Sequence, residues 1–325
     1  MILRDFDLCA EGPEPLFDLF REVYGDSAAI EQRWRWEWLE HPDAQKIRFH
    51  VAEDDGRIVG LTVRMPCRLR NADGLVEAYF ATNSMVHPAY RGLGLIRQLY
   101  ERAREGGALQ LSKGTAEGMY RQLLRMGYTT VQPDNYQVCL LRPWAWLRQR
   151  LGLEREQSQQ VMVSDPVPFC GYRVVDRFAA MPTFSGSDLW VEKDTKWLNW
   201  RYLDIPHRSY VTAVRTVEES TVAWCVLRLK GRTAFLVDLA WDRSRSDEPG
   251  VTIGFAKMQA RSRGAFKLVA WGGCKEYRRS LLHRGFLPSN ESPRCSIRWG
   301  AGATASTVRG QLLNLNHGDG DIDYL

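Results

Sequence analysis

The segment that most constrains this chain is a glycine-containing stretch at residues 85–99, which reads MVHPAYRGLGLIRQL. An apolar run, EAYFATNSMV, leads into it, and apolar residues after it recur at helical spacing, so the pattern predicts a strand, a loop and a helix. Gly92 and Gly94 allow the loop backbone to approach a ligand closely, and the first amides of the following helix have no partner inside that helix. Such a loop is suited to hold phosphate groups.

The residues beside these glycines carry a family resemblance. Arg91 directly precedes them, Arg97 follows in the first helical turns, and the strand runs into a Val-x-Pro-x-Tyr-Arg-Gly pattern. The segment resembles the GNAT acyltransferase superfamily, in which this loop holds the pyrophosphate of acetyl-CoA and the preceding strand hydrogen-bonds the pantetheine arm. The resemblance implies a cofactor site at Met85, Val86, Arg91, Gly92, Leu93, Gly94, Leu95, Ile96 and Arg97. Ile96 stands where the family has Gly or Ala, and its side chain either shifts the helix or packs into the core.

Composition predicts an ordinary globular protein. The chain has 325 residues, of which 44% are hydrophobic and 26% charged, and this length leaves room for two domains. No window approaches the roughly 18 unbroken apolar residues that a membrane helix needs. The first residues, MILRDFDLCAEG, lack the basic start and apolar run of an export signal, so we expect a cytoplasmic protein without a membrane partner.

The net charge and the cysteine pattern narrow the classes of ligand and site that the sequence favours. The net charge of +5 suits CoA phosphates or other anions without indicating nucleic acid. The seven cysteines are scattered and never form a Cys-x-x-Cys pair, which predicts reduced thiols and no metal site. Cys274 lies where a strand turns into a helix, a position that suits either a nucleophile or a small buried side chain.

The second half of the chain repeats the first. The segment WEWLEHP at Trp36 is answered by WRYLDIP at Trp200, 164 positions later, and YRQLLRMGY at Tyr120 is answered by YRRSLLHRGF at Tyr277. Two matches in the same order predict a duplication. We therefore expect an α/β (α+β) fold of two tandem GNAT-like domains, each a mixed, mostly antiparallel central sheet flanked by helices. The expected boundaries are 1–150 for the first domain, 151–165 for a linker and 166–325 for the second domain.

The two copies differ at the loop. Where the first has HPAYRGLG, the second has DRSRSDEPG, which lacks paired glycines. Asp247 and Glu248 in that segment would repel a pyrophosphate. We expect the second domain to be degenerate for CoA and to shape the acceptor cleft. The clustered tryptophans suit either an aromatic acceptor groove or packing between domains, and the repeat of Trp36 as Trp200 favours packing.

Acyl transfer to an amine needs a base and a group that protonates the departing thiolate. Many relatives carry a Tyr where this chain has Leu123, and Tyr120, one turn earlier, is a candidate acid or a core residue. Glu117, at the predicted start of the same helix, is a candidate base or a helix-dipole cap.

Candidate acceptor ligands lie in two further places. Asn83 and Thr82 face opposite sides of the strand before the loop, and one of them lines the cleft. In the C-terminal LNLNHGDGDIDYL, Asp319 and Asp321 either hold a cationic amine or belong to a solvated tail.

The expected activity is N-acyl transfer, with acetyl as the acyl group, from acetyl-CoA to a small amine such as an amino sugar or a biosynthetic intermediate, by direct attack in a ternary complex. Two alternatives remain at this level. One is a FemABX-like transferase that takes aminoacyl-tRNA, and the other is a non-catalytic CoA-binding module. The sequence does not indicate an oligomeric state.

Overall fold

The structure is a computed structural model and describes residues 1–71, 74–104, 107–131, 135–153, 169–179, 181–182, 184, 189–206, 208–272, 274–299 and 313–314. No helix within these ranges is long and apolar enough to cross a membrane. The cytoplasmic location stays a prediction.

The first half of the chain alternates strands and helices from its first residues. Its elements are β1 Ile2–Phe6, α1 Leu8–Glu11, α2 Glu14–Tyr24, α3 Ala28–Leu39, β2 Arg48–Asp54, β3 Arg57–Asn71, β4 Gly74–Val86, α4 Leu95–Arg102, β5 Leu109–Ser112, α5 Glu117–Arg125, β6 Thr129–Thr130, β7 Gln137–Leu140 and α6 Pro143–Arg150.

The second half follows a similar plan. Its elements are β8 Tyr172–Val174, β9 Leu189–Val191, α7 Thr195–Tyr202, β10 Val211–Val217, β11 Ser220–Lys230, β12 Thr233–Trp241, α8 Glu248–Ser262, β13 Lys267–Ala270, α9 Lys275–His283, β14 Leu287–Pro288, β15 Ser296–Arg298 and β16 Leu313–Asn314.

These strands form two sheets that have the same plan. The main path of the first sheet is β1-β2-β3-β4-β5-β15-β6, and that of the second is β8-β10-β11-β12-β13-β7-β14. Along these paths, β4 pairs with β5 in parallel and β12 pairs with β13 in parallel, while the other pairs are antiparallel. The two mixed sheets flanked by helices confirm the predicted fold class.

Among the described strands, one strand of the first half and three strands of the second half lie in the other sheet. β7 belongs to the first half but pairs with β13 and β14 of the second sheet. β15, β9 and β16 belong to the second half but join the first sheet, where β15 pairs with β5 and β6, β9 pairs with β3, and β16 pairs with β9. The two connecting segments hydrogen-bond to each other where they cross, with Val131 N to Cys295 O at 3.0 Å and Tyr136 N to Glu291 O at 3.0 Å. The sequence correctly predicts a strand in NYQVCLLRP, but alternating side chains do not specify which sheet edge a strand joins. The domain boundaries therefore stay a prediction.

The repeated tryptophans pack on each other. Trp36 of α3 stacks on Trp200 of α7 with ring centroids 4.6 Å apart and an interplanar angle of 13°. Both side chains are buried. The neighbouring Trp34 and Trp38 face the other side of α3 and pack with Phe17 and Phe20 of α2 in the core of the first sheet. Each large apolar side chain buried there stabilises the fold by roughly 1.5–3 kcal/mol.

His41, just after α3, makes stability depend on pH. Its ring lies edge-on to Trp200 with centroids 4.5 Å apart, and its Nδ1 accepts a hydrogen bond from the Asp43 amide at 2.9 Å. Burial lowers the pKa of His41 from 6.5 to about 4. The folded state therefore favours the neutral ring, so this contribution is complete above pH 6.5 and is lost as the pH falls toward 4. Such a shift corresponds to about 3 kcal/mol.

We expect urea unfolding to show a smaller loss of stability between pH 7 and pH 4.5 in His41→Gln than in the wild type, because Gln does not titrate. Paired carboxylates also lower the free energy of unfolding of both proteins in acid. The informative quantity is therefore the difference between the two slopes of that free energy against pH. Equal slopes would contradict a buried, neutral His41.

Candidate active site

The first sheet opens between its two parallel strands. β4 pairs with β5 only from Ala78 with Leu109 to Phe80 with Leu111. β4 nevertheless continues to Val86, and on its other side it stays paired with β3 as far as Gly60. Beyond Phe80, the β4 edge that faces β5 has no strand partner within the described ranges. Its backbone groups are therefore placed to hydrogen-bond an extended ligand.

The loop after β4 ends at an uncapped helix. Gly92 and Gly94 have φ values of 85° and 73°, which an L side chain rarely adopts. Gly94 is the N-cap of α4 and makes no side-chain cap hydrogen bond, whereas Asp194 caps α7 by accepting from the Trp197 amide at 2.8 Å. The first-turn amides of α4 are therefore oriented to bind an anion, with the positive end of the helix dipole behind them.

A cleft of about 710 Å³ lies in front of this loop, and we call it the α4 cleft. It is lined by Val86, Tyr90, Arg91, Gly92, Gly94, Leu95, Ile96, Arg97, Glu101, Arg104, Gln122, Arg125 and Met126. Arg97 pairs with Glu101 at 2.8 Å, but both side chains are exposed and such a pair contributes little. The other three arginines leave the cleft strongly positive, as a ligand with several phosphates requires.

Arg104 and Arg125 belong to this cleft but were not predicted. Arg125 is the last residue of α5, and Arg104 lies just beyond α4. Neither falls within the glycine-containing segment, and exposed arginines at helix ends are common in any protein. Only the packing of α4 beside α5 shows that they share a cleft.

Ile96 does not displace α4. Its side chain is half-buried and packs against two apolar clusters, one containing Val86 and Leu99 and the other containing Tyr100 and Leu123. Leu123, at the position where many relatives have a tyrosine, is completely buried. Both residues therefore contribute to the packing of α4 and α5 on the sheet.

A β-bulge interrupts β4 beside the opening. Asn83 and Ser84 lie in the register shift opposite Thr62, and Asn83 has a φ of 46°. The Ser84 hydroxyl is 2.7 Å from that of Thr62 and 3.1 Å from that of Tyr100, which lies on α4. Asn83 Nδ2 instead donates to Glu37 Oε2 at 3.3 Å. The bulge therefore places one polar side chain toward α4 and the next toward α3.

Glu37 is a buried carboxylate that was not predicted as a site residue. It lies on α3 with 4% of its surface exposed, and Arg33 Nη2 is 3.9 Å from Oε2. A carboxylate rarely loses its solvent shell without a structural or chemical reason. The sequence feature that marks Glu37 is its position between Trp36 and Trp38. Tryptophans at every second residue are not the burial pattern of a helix, however.

The other predicted acceptor-side residues lie in different surroundings. Glu117 begins α5, is mostly exposed and pairs with Arg121 in the next turn. The Tyr120 hydroxyl is 2.7 Å from that of Thr130 on β6, a strand that β15 separates from β5. Thr82 is buried, and Asp319 and Asp321 lie outside the described residues. Of the predicted acceptor-side residues that the structure describes, Asn83 hydrogen-bonds Glu37.

The corresponding helix start in the second half already carries an anion. Glu248 is the first residue of α8, is fully buried and pairs with Arg215. Burial raises the pKa of Glu248, although the nearby Arg215 opposes that shift. A buried acidic side chain at this position disfavours a pyrophosphate. The degeneracy of the second domain for CoA stays a prediction.

Cys274 is the N-cap of α9 and is buried. Its Sγ donates to Glu276 Oε2 at 2.7 Å. Burial and this hydrogen bond raise the pKa of the Cys274 thiol. The environment therefore favours the protonated thiol and the small buried role over a nucleophile.

Comparison with known proteins agrees with this geometry. Residues 13–145 match the family model of an acetyltransferase (GNAT) domain. The chain contains a GNAT domain. No curated protein matches the sequence.

Several solved structures share the fold of this chain. A probable N-acyltransferase from Enterococcus faecalis V583 is 12% identical, with a TM-score of 0.60 over 92% of this chain and 72% of the other. A GCN5-related N-acetyltransferase from Anabaena variabilis is 11% identical, with a TM-score of 0.57 over 91% and 72%. Yeast N-myristoyltransferase with bound myristoyl-CoA is 10% identical, with a TM-score of 0.51 over 91% and 82%. At these identities the likeness establishes the fold.

Proposed function

We propose that this protein transfers an acyl group, expected to be acetyl, from acyl-CoA to the nitrogen of a small amine, with an amino sugar or a biosynthetic intermediate as the expected acceptor. The observation that carries the proposal is the uncapped start of α4, which opens on the positive α4 cleft beside the unpaired edge of β4. The pyrophosphate binds the amides from Arg91 to Arg97, and the pantetheine hydrogen-bonds β4 at Met85 and Val86. The thioester then reaches the opening between β4 and β5.

The acceptor approaches from the opposite face of the sheet, where α3 lies. Its neutral nitrogen attacks the thioester carbonyl, the C–N bond forms, and the C–S bond breaks as CoA leaves as a thiolate, which takes a proton from water. The Glu37 carboxylate accepts the proton that the amine nitrogen loses, and Asn83 orients that carboxylate through its side-chain amide. Direct attack in a ternary complex requires this two-sided arrangement.

Four predicted residues have secondary roles in the proposal. Glu117 is the alternative base, because the turn that precedes it borders the opening, although its exposure and its pairing with Arg121 favour a helix-start role. Tyr120 is the alternative acid, although its hydroxyl already has a partner in Thr130. Asp319 and Asp321 are the proposed contacts for a cationic acceptor.

Calorimetric titration with acetyl-CoA, followed by a thiol-release assay on a panel of amines, tests this function. We expect micromolar binding and release of free CoA with at least one class of amine. Binding without thiol release across the panel would indicate the non-catalytic module. Turnover that requires tRNA would indicate the aminoacyl transferase, and no binding of acetyl-CoA would overturn the proposal.

A further inference from the structure

A second cavity, of about 430 Å³, lies where the chain crosses between the two sheets. We call it the crossover cavity. Strands β7, β11, β12 and β13 of the second sheet form one wall, and the opposite wall combines residues 289–294 with the turn between β5 and α5. The Gly114 amide joins these two segments by donating to the Pro293 carbonyl at 2.8 Å. Both halves of the chain therefore build the cavity.

Strand register places cations around an apolar floor. Phe235 of β12 pairs with Arg228 on one side and with Val269 on the other. One step along the same face, Thr233 pairs with Lys230 and Lys267. Since side chains in register on one face are neighbours, these three cations lie together at the cavity wall.

The opposite wall adds a fourth cation and a polar group. Arg294 lines the cavity, and its Nη1 donates to the Thr115 carbonyl at 3.5 Å. The Thr115 Oγ1 atom is buried and has no hydrogen-bond partner within the described residues. Glu291 is the one carboxylate among the described lining residues, and it is exposed. Like charges gathered in a concave site repel each other, and a bound anion relieves that repulsion.

The crossover cavity adjoins the opening in the first sheet. Gly114 and Thr115 line it, and they follow β5, the strand whose end defines that opening. We propose that the crossover cavity binds an anionic group, a phosphate or a carboxylate, of the acceptor, while the acceptor's amine reaches the thioester. The residues of the cavity by themselves support the anion site, whereas the assignment of that anion to the acceptor rests on the proposed function. The acceptor class is therefore an amine that carries a phosphate or a carboxylate.

The first test measures anion binding without the α4 cleft. Inorganic phosphate and succinate are titrated into a Gly94→Glu background, which places a carboxylate in that cleft. We expect saturable binding of one of the two probes, which identifies the preferred anion. Lys267→Gln and Arg228→Gln each weaken it about tenfold, the effect of losing one charge-assisted hydrogen bond. Arg173→Gln, the same change on the exposed edge strand β8, leaves it unchanged.

The second test concerns the acceptor. Thiol release is compared for a phosphorylated amino sugar, an amino acid with an extra carboxylate, and a neutral amino sugar. We expect Lys267→Gln to lower kcat/KM about tenfold for the anionic amine with little change for the neutral one. Equal effects on both amines would overturn the assignment to the acceptor.

Different results would overturn the anion site and the proposed function. No binding of either probe, or equal weakening by Arg173→Gln, would overturn the anion site even if acetyl-CoA binds. Anion binding in a protein that does not bind acetyl-CoA would overturn the proposed function and leave the site. Thermal melts of every variant establish that each is folded. If Gly94→Glu does not fold, phosphate is titrated instead into the wild type and the cavity variants with Gly94 unchanged.

Discussion

Gly94→Glu weakens acetyl-CoA binding about 100-fold or more, since a carboxylate beside the pyrophosphate adds repulsion and disturbs several charge-assisted hydrogen bonds. Gly94 has a φ of 73° and open space where a side chain would project, so the new side chain enters the region in front of α4 without a clash. Calorimetric titration of acetyl-CoA at moderate salt measures the change.

The backbone strain of that substitution needs its own control. Gly285, which follows α9 in the second half, has a φ of 80° and similarly open surroundings. Gly285→Glu therefore carries a similar conformational cost and the same added charge. We expect it to bind acetyl-CoA as the wild type does. A similar loss of binding in both variants would show that destabilisation explains the result and that the cofactor does not depend on the loop.

Glu37→Gln lowers kcat about 100-fold or more, the usual contribution of a general base, and leaves acetyl-CoA binding intact. Gln keeps the shape of Glu37 and an oxygen that can accept the hydrogen bond from Asn83. Steady-state kinetics with a turned-over amine measure kcat and KM, and titration measures binding of the cofactor.

Two further variants serve as comparisons for Glu37→Gln. Glu40→Gln makes the same change on an exposed residue just beyond α3, and we expect wild-type kcat. Glu117→Gln tests the alternative base at the start of α5. A large loss of kcat in Glu117→Gln together with wild-type kcat in Glu37→Gln would transfer the base role to Glu117. A matching fall in melting temperature and kcat for Glu37→Gln would instead indicate a structural carboxylate.

Local sequence was sufficient to predict the strand, the loop and the helix that form the proposed cofactor site. The glycines at Gly92 and Gly94, the apolar run before them and the helical spacing after them are contiguous, and the structure places them as strand, loop and helix. The repeat of Trp36 as Trp200 was equally readable, because each residue keeps its position within its own half of the chain. Backbone conformation and hydrophobic periodicity act over a few residues, so adjacent residues are enough to predict them.

Tertiary structure alone brought together the residues of the proposed acceptor side. The exchange of β7 and β15 between sheets depends on which strand edges meet. The alternation of side chains along a strand does not specify which strand it pairs with. Glu37 became a candidate base only because α3 lies over the bulge at Asn83, and Arg228, Lys267 and Arg294 became one cavity only through strand register and the crossing segments. Their separations along the chain are long, and no short pattern encodes such contacts. The proposed acceptor site depends on packing between distant segments, whereas the loop proposed for the cofactor depends on consecutive residues.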